Sequence, residues 1–595
     1  MPSTDLASST DFLSRKGSYF RYLTAPQNRT DAYPVGPRPD PVLYHPAAAW
    51  IGRLILPASD ERALVQGAWM EVQYAQEPFA HLISQTVRLR WDRVGETDQR
   101  FRSVTRSVEF DEDALRYIEK GFVLPERVNH WQDVNPFESL AGAYPVDEMI
   151  VRLPEPVVVD ETPEDNGPPI LYLSREPLQT TGRFYALVQF LSPENGATDQ
   201  ERWRVAHFRR ETGVFDGPQE TVLLLETMPD EHDVHPAVSH GISDSPANEE
   251  GWYIYGALNR DGVFVVQSLM PRALMRLRPQ QTRPASPEET AFYDPREWRK
   301  QAPPGTFASL LLYPKGVSPE EEVARWQEGD TALVVHLYGR YLRKDQPWMR
   351  LALVWGHFAF GVARVVREPL TGELRFDIEY HQVYVDGEEG IISGTHHWTR
   401  YTGDRQFGFM GTHPIQDVLI RLDCFTEPYP LSATMRSPLA ELSTELEKME
   451  ARYRIADGRG GTRISASNNC SQDSNQALYA ALKHIDNALR SRPSEQTGRA
   501  EALDSLKNDL KHKLLPFGAA RADWEENLPT IGSSLSENLV SSLSMAARTW
   551  NTVLPSIAAR SLVKTFLQHG ATAWTLRTHN VGGQDPTIVP FPPNV

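Results

Sequence analysis

Short runs in which apolar and polar residues alternate recur through the first half of the chain. Examples are IGRLILP and QTVRLRW near the start, and ILYLS, FYALVQFL, GWYIYGAL and GVFVVQSL further on. Alternation with a period of two, between clusters of turn-forming residues, predicts strands with one buried face. We therefore predict two all-β modules, at residues 43–160 and 170–278, after a polar and proline-rich N-terminal tail at residues 1–42.

The pattern changes after a proline-rich connector that ends near Pro304. Three strand-like runs come first, TALVVHLYGRYL, RLALVWGHFAFGVARVV and ELRFDIEYHQVYV, and helical sequence follows from about Ser437. This order predicts an α+β domain at residues 305–495. In residues 498–595, leucines with helical spacing predict a helical C-terminal region; they are Leu503, Leu506, Leu510, Leu535, Leu539 and Leu543.

Composition and charge narrow the classes of function. With 595 residues the chain is too long for a single core, which agrees with a multi-domain protein. A net charge of −17, with no basic stripe to offset it, argues against nucleic acid as a partner. Two cysteines are too few for a disulfide framework, and no signal-type or membrane-spanning apolar stretch is visible, so we expect a cytoplasmic protein.

One cysteine has the setting of a reactive thiol. In SASNNCSQDSNQALYAALKHIDNAL, four apolar residues fall on one helical face, and Asn469 with Gln472 has the form of a capping box. This pattern predicts that Cys470 is the first residue of a helix, where the amide groups favour a thiolate and lower its pKa. The alternative is a buried and inert cysteine, which is the commoner role of a free thiol.

A candidate base for this thiol lies in the strand RLALVWGHFAFGVARVV. His357 has apolar residues on both sides and follows Gly356, which leaves room for a close approach. A histidine that is simply packed in the core is again the alternative. Cys424, in VLIRLDCFTEPYP, ends an apolar strand with no helix start to stabilise a thiolate, so we expect it to be an ordinary packed residue.

Together these motifs resemble a known group of enzymes. A strand with WGHFAFG, followed much later by a helix that opens with NNCSQDSNQALY, is similar to the circularly permuted branch of papain-like proteins, which includes NlpC-type peptidases and the lecithin:retinol acyltransferase group. The resemblance covers about residues 305–495 and implies a papain-like α+β domain of permuted topology. It implies Cys470 as nucleophile and His357 as base. It also implies a third polar residue on the next strand that orients the imidazole, for which we choose His381, on the same strand face as Asp377 and Glu379.

A second resemblance covers most of the chain. The segments GTFASLLLYPKGVSPEEEVARWQEGD, GELRFDIEYHQVYV and LRTHNVGGQDPTIVPFPP look like the soluble part of bacterial predicted Abi or CAAX-type proteases. That family implies a Glu-Glu-x-x-x-Arg motif on membrane helices, and Glu320, Glu321 and Arg325 match the pattern. They follow Ser318 and Pro319, an ordinary helix start, so we interpret them as a solvated helix face.

Two functions follow, from different classes. The first is a thiol hydrolase, a peptidase or amidase, or an acyltransferase, which acts on a peptide, protein or acyl substrate and needs no metal or organic cofactor. The second is a non-catalytic interaction or scaffold protein, a remnant of a CAAX-type protease. The C-terminal segment IAARSLVKTFLQHGATAWTLRT predicts an amphipathic helix. We expect this helix to dock on the protein itself, with any membrane contact peripheral.

Overall fold

A computed structural model gives the fold. It describes residues 37–55, 68–92, 109–110, 150–194, 201–225, 241–285, 306–338, 357–387, 390–405, 415–431, 434–455, 470–490, 497–514, 530–531 and 555–579. Most of the N-terminal tail, the expected capping residue Asn469 and the leucines at 535, 539 and 543 lie outside these ranges. The predictions made from the sequence for these residues are therefore not tested by the structure.

Strands dominate the part of the chain up to residue 436. They are β1 His45–Pro46, β2 Trp50–Ile55, β3 Ala68–Ala75, β4 Thr86–Trp91, β5 Glu109–Phe110, β6 Ile150–Arg152, β7 Val157–Asp160, β8 Ile170–Leu173, β9 Leu178–Gln179, β10 Phe184–Pro193, β11 Glu201–His207, β12 Gln219–Leu224, β13 Trp252–Leu258, β14 Phe264–Pro271, β15 Gln281–Pro284, β16 Thr306–Tyr313, β17 Thr331–Tyr338, β18 His357–Arg367, β19 Leu374–Gly387, β20 Gly390–His397, β21 Ile415–Arg421, β22 Tyr429–Leu431 and β23 Thr434–Arg436. Later in the chain come β24 Thr530–Ile531 and β25 Thr572–His579.

Helices are short before residue 437 and longer after it. They are α1 Pro246–Glu250, α2 Arg272–Met275, α3 Pro319–Ala324, α4 Trp398–Tyr401, α5 Asp423–Thr426, α6 Pro438–Ile455, α7 Cys470–Arg490, α8 Thr497–Lys513 and α9 Pro555–Gln568. Two 3-10 turns, Phe79–Leu82 and Ile242–Asp244, complete the set within the described ranges. The expected β-rich chain with later helices is confirmed.

Two large sheets contain most of the described strands, and β22 with β23 and β24 with β5 form two further sheets of two strands each. A six-stranded sheet has the order β1-β10-β11-β12-β14-β13, and a 15-stranded sheet runs β15-β16-β25-β21-β17-β18-β19-β20-β9-β6-β2-β3-β4-β8-β7. The longer sheet joins strands from both predicted β-modules to those of the predicted third domain, through the pairs β20–β9 and β9–β6. The sequence boundaries therefore do not coincide with the edges of a sheet, and the permuted papain-like topology stays a prediction.

The central strands of the long sheet separate two cores. On β17, Leu333, Val335 and Leu337 belong to one buried cluster, whereas Val334 and Tyr338 belong to the other. This is the period of two that the sequence shows, now with both faces buried. The first face is covered by α6, α7, α8 and α9, and the second faces the six-stranded sheet.

The C-terminal helix α9 packs inside the protein. Its apolar stripe includes Leu562 and Phe566, both fully buried, while Lys564 is exposed. Phe566 meets Phe425 edge to face, with ring centroids 5.2 Å apart. The predicted intramolecular docking is thus confirmed for Pro555–Gln568, but the predicted helix does not extend to Trp574 and Arg577, because Thr572–His579 forms strand β25.

Ion pairs tie the early strands to the later ones. Arg152 on β6 donates to Asp377 on β19 at 2.8 Å, and Arg175 pairs with Glu447 on α6 at 3.3 Å. These partners lie far apart in sequence, and their side chains are mostly buried. Burial makes the loss of one partner costly, because the other charge is then left without compensation.

Candidate active site around Cys470 and the β18–β19 strands

Cys470 is the first residue of α7, as the sequence predicts. Its side chain is buried in the helical core together with Phe358 and Phe360 of β18. The apolar residues of α7, among them Ala477 and Leu478, pack this helix against the sheet. Packing of one helical face therefore fixes the thiol at the N-terminal end of β18.

The electrostatics of the thiol differ from the expectation. Burial raises the pKa of Cys470 to about 11, and hydrogen bonds from the backbone N–H groups of Phe358 and Ser471 oppose this rise without overcoming it. The negative charge of Asp473 adds to the increase. The expected lowering by the helix amides is present, but desolvation outweighs it, so the resting thiol is protonated at neutral pH.

His357 begins β18 and lies beside the amide that contacts the sulfur. Its Nε2 forms a 2.6 Å hydrogen bond with Oε1 of Gln382 on β19. Since a carboxamide oxygen accepts, Nε2 carries the proton and Nδ1 keeps the lone pair. Burial, reinforced by nearby His336, lowers the pKa of His357 to about 3, so the imidazole is neutral at pH 7.

Aromatic side chains enclose the His357 ring. The centroids of Tyr338, His336 and Tyr401 lie 5.3, 6.2 and 6.3 Å from that of His357. Burial raises the pKa of Tyr401 well above the usual value, and the nearby hydroxyl of Tyr338 adds to the rise. Cys470 belongs to the helical core, whereas the His357 ring lies among residues of the other core, on the opposite face of β18, and no hydrogen bond joins these two described side chains.

A buried histidine that the sequence did not single out lies next to this pocket. His336 Nδ1 is 2.6 Å from Oδ1 of Asp417, and Oδ2 of the same carboxylate accepts from the hydroxyl of Tyr380 at 2.6 Å. Within the described residues, His336 Nε2 has no hydrogen-bond partner. The alternation of TALVVHLYGRYL could have placed His336 on the face of Tyr338, but its apolar neighbours suggested only a buried strand.

His381, the residue chosen to orient His357, lies on the opposite face of the sheet. In the β18–β19 register Phe360 pairs with His381 and Gly361 with Tyr380, which places His381 with Phe360 under the helices. Gln382, one residue later, contacts the His357 imidazole instead. The orienting role foreseen for His381 is therefore taken by a neighbouring carboxamide, because successive side chains on a strand point to opposite faces.

His381 has its own partners on the helical face. Its Nδ1 is 3.2 Å from Oε1 of Glu450 on α6, and 3.3 Å from Oγ1 of Thr395 on β20. Thr395 also donates to Glu450 at 3.3 Å. His381 and Glu450 are both fully buried, and His381 Nε2 has no partner in the part of the chain that the structure describes.

The predicted contrast between the two cysteines is smaller than the sequence suggested. Cys424 is also buried, and burial raises its pKa to about 11 as well. It lies in the short helix α5 and not at the end of a strand. What distinguishes Cys470 is its position at the start of a long helix against the His357 strand.

A group of possible metal donors lies between α6 and α7. Glu441, Glu445 and His484 hold their donor atoms within 4.8 Å of one another. Lys448 approaches Glu445 at 2.5 Å and Arg436 approaches Glu441 at 2.6 Å, so both carboxylates already face cations. Hydrogen bonds to these carboxylates raise the pKa of His484 to about 9, and we assign the cluster to helix pairing.

The residues that match the CAAX-type motif form a solvated helix face, as predicted. Ser318 caps α3 in a capping box with Glu321, and Glu320 and Arg325 are exposed. Arg325 pairs with buried Glu322 at 3.1 Å.

Comparisons with known proteins add no relative. No family model, no curated protein and no solved structure matches this chain. No helix within the described ranges combines the length and the apolar character needed to cross a membrane.

Proposed function

We propose that this protein is a thiol hydrolase or acyltransferase with Cys470 as nucleophile and His357 as base. The observation that carries the proposal is the position of the Cys470 sulfur, at the N-terminus of α7 and against the backbone N–H of Phe358, the residue that follows His357. Gln382 holds the imidazole by Nε2, which leaves Nδ1 as the ring nitrogen that can accept a proton.

The neutral resting state defines how the reaction starts. The high pKa of Cys470 and the low pKa of His357 mean that no thiolate–imidazolium pair exists before substrate binds. The sulfur therefore attacks an amide or ester carbonyl carbon while the S–H proton passes, through a water molecule at the start of β18, to Nδ1 of His357 on the other face of the strand. The carbonyl electron pair moves to oxygen, and backbone N–H groups at the start of α7 stabilise this oxyanion.

The second half of the first step releases the leaving group. As the oxyanion re-forms the carbonyl, the bond to the amine or alcohol breaks, and the leaving group takes the proton from the His357 imidazolium through the same water molecule. The product is an acyl thioester on Cys470. Transfer of the acyl group to water makes the protein a hydrolase, and transfer to an amine makes it an acyltransferase.

Acyl transfer from p-nitrophenyl acetate, followed by intact-mass spectrometry, tests the proposal. We expect a covalent acetyl adduct on wild type, its loss in Cys470→Ala, and a slower first step in His357→Gln. Cys424→Ala is the matched control, since it removes the other buried thiol. An adduct that persists in Cys470→Ala would show that this residue is not the nucleophile.

Burial of the thiol favours a second function, that of a non-catalytic scaffold. A cysteine with a pKa of about 11 inside an apolar core has the properties of a packing residue. In that case Cys470→Ala lowers stability by about 1–2 kcal/mol through lost packing, and no acyl adduct forms on wild type. Urea unfolding together with the acylation assay separates the two functions.

A further inference from the structure

The His381–Glu450 pair is a buried acid–base unit that the proposed acylation step does not use. His381 Nδ1 faces the carboxylate of Glu450 at 3.2 Å, and both side chains are fully buried. With Nδ1–H donating to the carboxylate, Nε2 carries the lone pair. That nitrogen has no partner among the described residues, which is uncommon for a buried polar atom.

This pair lies on the same face of the sheet as the thiol. Phe360 is the cross-strand partner of His381, and Phe358 is two residues before Phe360 on β18. Such diagonal neighbours on one sheet face are about 7–8 Å apart, within reach of long side chains. The amide of Phe358 contacts Cys470, so His381 is the diagonal neighbour of the residue that the sulfur contacts, whereas His357 points to the other face.

Two serines near the start of α7 add buried polar groups close to Cys470 in the chain. Ser471 and Ser474 are buried, and neither hydroxyl has a hydrogen-bond partner within the described ranges. Helix α7 packs on both β18 and β19. Buried polar groups of this kind commonly bind ordered water molecules, so the start of α7 is suited to hold a reacting water.

We propose that His381 activates the water that releases the acyl group from Cys470, with Glu450 as the positioning residue behind it. This inference rests on the proposed thiol chemistry. In the step, water attacks the thioester carbonyl carbon while its proton passes to Nε2 of His381, and the carbonyl electron pair moves to oxygen. When the carbonyl re-forms, the C–S bond breaks, and the sulfur takes the proton from His381. Glu450 stabilises the imidazolium that forms in between.

The charged groups around His381 are consistent with this role. Glu450 on α6 faces the imidazole directly, and Asp473 on α7 lies near the sulfur. Arg175 is close enough to Glu450 for the two charges to interact, and it also pairs with Glu447. Arg175 therefore places a cation near Glu450 inside the core.

The test separates formation of the acyl adduct from its loss. Each full-length protein is acetylated briefly with p-nitrophenyl acetate, freed of reagent, and followed by intact mass. In His381→Gln we expect the adduct to form at the wild-type rate and to persist about 100-fold longer, the usual contribution of a general base. Glu450→Gln should also lengthen the lifetime of the adduct, but by a smaller factor than His381→Gln. His207→Gln is the matched control, because His207 is another buried strand histidine that pairs with a glutamate, at 2.6 Å.

Release of the adduct by hydroxylamine distinguishes a role of His381 in catalysis from a role in structure alone. Hydroxylamine cleaves a thioester without a general base, so it should release the adduct from His381→Gln and from wild type at similar rates. Water hydrolysis at the wild-type rate in both His381→Gln and Glu450→Gln would overturn the inference and leave the nucleophile assignment intact. Absence of any adduct on wild type would instead refute the thiol chemistry itself.

Discussion

The pH dependence of Cys470 alkylation follows from its burial and can be measured in a Cys424→Ser variant, which leaves a single thiol. Burial raises the pKa of Cys470 from 9.0 to about 11. A shift of two pKa units corresponds to about 3 kcal/mol and to about 100-fold less thiolate at any pH below 9. Because the thiolate is the form that reacts, the alkylation rate of the folded protein reports this shift.

Iodoacetamide rate constants between pH 7 and 11, in buffer and in urea, provide the assay. In urea the rate should level off near the ordinary cysteine pKa of about 8.5–9, whereas the folded protein should gain about tenfold per pH unit through pH 10. The position of the inflection, not the absolute rate, carries the information, since limited access slows alkylation at every pH. A folded-state rate that levels off below pH 9 would refute the burial argument.

The same shift has a consequence for stability. The unfolded chain loses the thiol proton near pH 9 and the folded chain only near pH 11, so the unfolded state is favoured as pH rises between these values. The contribution of Cys470 to stability is complete below pH 9 and is lost as pH passes 11. Cys470→Ala should therefore be less sensitive to alkali than wild type in urea unfolding at pH 8 and pH 10.

Three further predictions concern stability, each measured by urea unfolding. His484, whose pKa is raised to about 9, stabilises the α6–α7 pair below its unfolded pKa of 6.5, and this stability is lost as pH rises through 9. Because His484 is partly exposed, we expect His484→Gln to lower the free energy of unfolding by only about 1 kcal/mol at pH 6, and by little at pH 10. Arg152→Ala should cost about 3 kcal/mol by leaving a buried carboxylate unpaired, whereas Arg367→Ala, from an exposed pair, should cost at most about 1 kcal/mol. Leu562→Ala should lower the free energy of unfolding by about 2–5 kcal/mol, because it removes a buried side chain of α9. The control Lys564→Ala changes an exposed residue and should have almost no effect. Equal effects of the two substitutions would contradict the docking of α9.

Local patterns in the sequence predicted local structure well. Alternation identified many of the strands, although β25 was predicted as part of a helix, and the apolar stripe with the capping-box pattern identified α7 and its first residue. The leucines at 503, 506 and 510 are all buried in α8, as their helical spacing indicates. These features depend on neighbours along the chain, which periodicity records directly.

Long-range pairing was beyond what the sequence could predict. Strands β9 and β20 pair through Gln179 and His396, and the sequence of neither segment predicts this pairing. The same limit applies to the site. The period of two correctly grouped Asp377, Glu379 and His381 on one face of β19. Only the pairing register between β18 and β19 decides which of these side chains share a face with His357. In that register the side chain that contacts His357 is Gln382.

The pKa of Cys470 shows a different limit. A helix N-terminus favours the thiolate by a modest amount, and the residues around Cys470 reveal this local effect. Desolvation depends on how much of the fold covers the residue, here strands β18 and β19 together with α6 and α7. These elements are distant in sequence, so desolvation, the stronger influence on the thiol, cannot be read from the residues that flank it.

The position of β25 has a consequence for synthesis on the ribosome. This strand, the last that the structure describes, inserts between β16 and β21 and pairs antiparallel with both. Until it is made, β16 and β21 each have an unpaired edge, although both were translated well before it. At about 5–20 residues per second this delay is on the order of ten seconds or more, long enough for open edges to meet other nascent chains. The protein should therefore depend on chaperones that hold its incomplete sheet until the final strand emerges.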